Sequence, residues 1–106
     1  MTRRIIKTRI LKDDAGADIA GASGTITSEV LDIKRYNYTV ETAGTSVASI
    51  DFQVSVTGNN FATPTGGLIA SPTLPHIGDV CVYGAFCKIV FTTAVGITVN
   101  IMMEER

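Results

Sequence analysis

Few side chains in this sequence are of types that make or break bonds, and they are scattered. His76 is the single histidine. It sits in a loop bounded by Pro72 and Pro75, and no partner at triad spacing accompanies it in the sequence. Cys81 and Cys87 do not form the CxxC of a redox or zinc site. A chain reversal at Gly84 would bring them face to face for a cross-strand bridge. A bend there leaves them apart as small buried hydrophobes, and the bend is the expectation. Asp13, Asp14 and Asp18 lack the spacing and the downstream Glu of an EF-hand, so they read as a solvated acidic turn. Gly21, Gly24, Gly66 and Gly67 lack the strand-to-helix setting and the Lys of a phosphate loop. Asn59-Asn60-Phe61 places one aromatic ring at a loop tip, where it could touch a glycan or a protein or tuck back onto the domain edge. These residues nominate no catalytic group, no metal ligand and no cofactor, and the chain is expected not to be an enzyme.

The elements that would position these groups are strands. In Val47–Gly58, Ile50, Phe52, Val54 and Val56 fall on one parity, and Ser49, Asp51, Gln53, Ser55 and Thr57 on the other. Side chains alternate faces along a strand, so the segment has one apolar and one wet face. Arg35–Thr42 repeats the design with Tyr36, Tyr38 and Val40 on one side. Ala43-Gly44-Thr45 between them reads as a short turn, which makes the two segments an antiparallel hairpin. Toward the other end, Cys87, Ile89 and Phe91 share a face, Ala94-Val95-Gly96 reads as a turn, and Ile97, Val99, Ile101 and Met103 alternate with polar neighbours and Met102. That gives a closing hairpin. Thr25–Ile33 and Asp79–Tyr83 are further strands and Leu68–Ala70 a short edge strand, while Ser71–Gly78 cannot lie mid-sheet because of its prolines. The pattern predicts an all-β, single-domain antiparallel β-sandwich, jelly-roll or Ig-like, of about 7–8 strands.

The bulk numbers agree with one small core. The chain has 106 residues, with hydrophobic content of 45% and charged content of 18%, which is globular and too short for two comfortable cores. Net charge is only −1, so the molecule as a whole does not attract nucleic acid. No run approaches the length of a membrane span or of a signal-peptide core, and two cysteines without an export signal point to free thiols in a reducing compartment. The charge is uneven: Arg3, Arg4, Lys7, Arg9 and Lys12 precede the first acid, Asp13. Residues 1–24 therefore read as a basic, extended N-terminal arm with a Gly-rich link, and residues 25–106 as the sandwich domain. The basic residues serve either to charge a strand edge against aggregation or to contact a neighbouring subunit. Arg3, Arg4, Lys7, Arg9, Lys12 and Phe61 are the candidate subunit contacts.

With the strands placed, the run Ile33–Phe61 resembles a design in bacteriophage structural β-sandwiches. It has a Tyr-bearing strand, a Gly/Thr turn, an alternating strand, and a cluster resembling S-x-D-G-x-x-W/F. Here that cluster is Ser55-Val56-Thr57-Gly58-Asn59-Asn60-Phe61, with Thr57 where Asp is usual. Asp79–Phe91 is similar to the bent strand of that family, with Cys87 and Lys88 departing from its commonest residues. The resemblance spans Ile33 to Met103 and implies a non-enzymatic virion component, foremost a capsid decoration or minor head protein. It implies as partners copies of the chain itself and other virion proteins, and neither direct nucleic-acid contact nor a membrane. Assembly would take place in the host cytoplasm. The alternatives are a neck or tail accessory protein, or a carbohydrate-binding β-sandwich built around Phe61.

Overall fold

The fold is organised around β8 (Phe86–Glu105), a strand of 20 residues with a bend in its middle. In the computed structural model, residues 6–79 and 85–105 are described. One edge of β8 carries β4 (Tyr36–Ser46) and β5 (Ser49–Ser55) end to end. Their register is unbroken, from Tyr36 opposite Glu105 through Ser46 opposite Val95 and on to Ser55 opposite Phe86. The opposite edge carries β1 (Ile6–Ile10), β2 (Ser23–Thr27) and β3 (Leu31–Asp32) in the same running order. Two short edge strands complete the sheet: β6 (Leu68–Ala70) pairs with β5 and β7 (His76–Asp79) with β4. Among the described residues the result is one antiparallel sheet of eight strands. The first half of β8 lies between β5 and β2–β3, and the second half between β4 and β1.

This topology corrects both expected hairpins. The chain does not reverse at Ala43-Gly44-Thr45 or at Ala94-Val95-Gly96; each segment runs straight on, and the two long strands pair with each other. The turn-type residues are there because the ribbon bends sharply. Gly44 has φ +137° and Gly96 φ +58°, and Thr93 is left-handed at φ +51°. At the bend the backbones press together: a Cβ on Gly44 would lie 2.3 Å from the Gly96 carbonyl oxygen. Glycine is what such an approach demands. A local run of Gly, Ala and Thr cannot distinguish a bend from a reversal, because both need the same backbone freedom.

The faces follow the alternation. Cys87, Ile89, Phe91, Ile97, Val99 and Ile101 of β8 are buried, as are Tyr38, Val40 and Thr42 of β4 and Ile50 and Phe52 of β5. The sheet curls about its bend so that the two halves share one contiguous core. The all-β, single-domain, antiparallel expectation holds. Val56, expected on the apolar face, is 79% exposed because the strand ends at Ser55. The single expected strand over Thr25–Ile33 is two, β2 and β3. Between them Ser28 is buried, its hydroxyl donating to the Glu29 carbonyl and accepting the Ile89 N–H. Leu68–Ala70 is the expected edge strand.

The stretch read as arm and link is placed differently where the structure describes it. β1 pairs with β8 over five residues, and the Leu11 N–H donates to the Val99 carbonyl at 2.8 Å. Leu11 and Ile19 are core residues, so residues 6–24 are integral to the domain. The reason this was hard to read is positional. Lys7 and Arg9 occupy the inward parity of β1, opposite Met103 and Ile101, because β1 lies at the rim of the core and meets polar groups there. In the Gly-rich excursion Ile19 provides the buried anchor, and Ala22 packs partly against the same core.

Candidate interaction surface

The chemically able residues stay dispersed. His76 is on β7, an edge strand rather than the expected loop, with Pro72 and Pro75 just before it. It faces Thr42 across the β4–β7 pair, and among the described residues neither His76 Nε2 nor Thr42 Oγ1, both buried, has a hydrogen-bond partner. Cys87 is in the core; Cys81 and Gly84 lie outside the described residues, as does all of the expected strand Asp79–Tyr83 except Asp79. Asp13 accepts the N–H groups of Ala15 and Ala17, and Asp18 pairs with Lys12, so the acidic turn is held by its own chain. Among the described residues no three His, Cys, Asp or Glu side chains gather as a metal site would require.

Of the six candidate contact residues, Arg3 and Arg4 lie outside the described residues. Arg9 makes a two-pronged ion pair with Glu29, at 2.5 Å and 2.9 Å, and the Lys12 N–H donates to the same carboxylate. The Lys12 ammonium is bonded to Asp18. Lys7 is exposed and borders a cleft of about 90 Å³ with Tyr36, Met103 and Glu105. Phe61 is half-buried, and the Lys88 ammonium lies over its ring at 4.6 Å. Among the described residues, the fold therefore does not gather Lys7, Arg9, Lys12 and Phe61 into one site.

The Arg9–Glu29 pair joins β1 to the connection between β2 and β3 across the rim. Burial pushes the Glu29 carboxyl up, but the hydrogen bonds from Arg9 and the Lys12 N–H, with the two positive charges, outweigh it and hold the group below its ordinary value. A carboxyl depressed on folding adds stability above its unfolded pKa of about 4.3, and that stability fades as pH falls through the lower folded value. Glu29→Gln is expected to flatten this acid limb and to cost about 0.5–1 kcal/mol at neutral pH, since both partners are partly solvated. Urea midpoints at pH 7 and across pH 3–5 check it. An unchanged acid limb would assign the acid sensitivity to other carboxylates.

The feature that residue-type reasoning missed is the outer face of the β7-β4-β8-β1 half. An open groove of about 550 Å³ crosses all four strands. Ile10, Met102 and Ile77 line it, at 50%, 39% and 64% exposure, and Ile6 is 55% exposed beside it on β1. Polar groups are set among them: the Asn100 amide donates to Glu41 at 3.1 Å and the Thr39 hydroxyl to Asp79 at 2.9 Å. The one available signal was parity, since Ile6, Ile10 and Met102 alternate along their strands with inward-facing residues. Only the pairing of four distant segments turns those positions into one surface.

No protein-family profile matches the chain, and no curated protein matches it. Its fold is similar to that of the SPBc2 prophage-derived protein YomS, known from a crystal structure, with a TM-score of 0.65 at 14% sequence identity. The likeness covers 99% of this chain and 97% of that one, so the whole curled sheet, and not a fragment of it, is the shared architecture.

Proposed function

We propose that the chain is a non-enzymatic structural subunit of a bacteriophage particle, foremost a capsid decoration or minor head protein, that acts by packing against copies of itself and other virion proteins. The observation that carries this reading is the end-to-end fold likeness to a prophage-derived protein. It is supported by the resemblance of Ile33–Met103 to phage structural sandwiches. It is also supported by the outward isoleucines and methionine, which are of the type that subunit interfaces bury. A neck or tail position uses the same chemistry. The carbohydrate reading has less support, because a stacking platform needs an open ring, and the ring of Phe61 has Lys88 across it.

Size-exclusion chromatography with light scattering and co-sedimentation with purified particles test the reading. The expected result is a defined homo-oligomer that sediments with particles. A protein that is monomeric at every concentration and stays in the supernatant would overturn it.

A further inference from the structure

We draw no further inference here: the strongest candidate, the groove that Ile10, Ile77 and Met102 line on the outer face of β7, β4, β8 and β1, has both Arg9 and Glu41 on its walls and so no charge that selects a partner, and nothing among the described residues shows what covers it.

Discussion

Gly44→Ala is expected to be the most damaging small substitution in the domain. The new methyl would lie 2.3 Å from the Gly96 carbonyl oxygen and 2.6 Å from the Ile97 Cα, both backbone atoms of the partner strand. Neither can rotate aside, so the two strands must separate at the bend. The residue must also keep φ near +137°, which an L side chain resists. Overpacking and backbone strain each cost about 1–3 kcal/mol, which together is a large share of the roughly 5–15 kcal/mol that holds a domain of this kind. Gly66→Ala is the control: Gly66 also has positive φ, +82°, but nothing lies within 4 Å of the added atom. It is expected to lose about 1–2 kcal/mol. Thermal midpoints of the two variants check the difference. Equal losses would mean that the two long strands do not cross where the structure puts them.

Phe91→Ala follows close behind. Phe91 is fully buried on the central strand, paired with Ile50 on one side and Ile26 on the other. Truncation removes a ring that both neighbouring strands pack around and leaves a cavity that three paired strands cannot collapse into. The expected cost is about 3–5 kcal/mol, read as a lower urea midpoint at unchanged m-value. A loss below about 1 kcal/mol would move Phe91 out of the core and reverse the inward face of β8.

Both substitutions bear on how much of the molecule was legible beforehand. The inward set of β8 from Cys87 to Ile101, and of β4 and β5 from Tyr38 to Phe52, could be read directly, because side-chain alternation is a local property of an extended backbone. β1 was harder: its inward positions hold Lys7 and Arg9, and only the arrival of Glu29 from a connection 20 residues away explains Arg9 there, while Lys7 borders the rim beside Tyr36 and Glu105. Val56 shows the same limit at a strand end, where parity continues in the sequence after the sheet has stopped.

The amino-acid order by itself determined that this is a single antiparallel β domain and which side of most strands is buried, since a two-residue period needs only neighbouring residues to express it. Whether Gly44 and Gly96 turn the chain back or merely bend it was decided in three dimensions. Both outcomes use the same backbone freedom, and the pairing of β4 with β8 joins residues from 49 (Ser46 with Val95) to 69 (Tyr36 with Glu105) positions apart. The outer groove likewise exists only after β1, β4, β7 and β8 come together, because no short segment contains enough of it to be recognised.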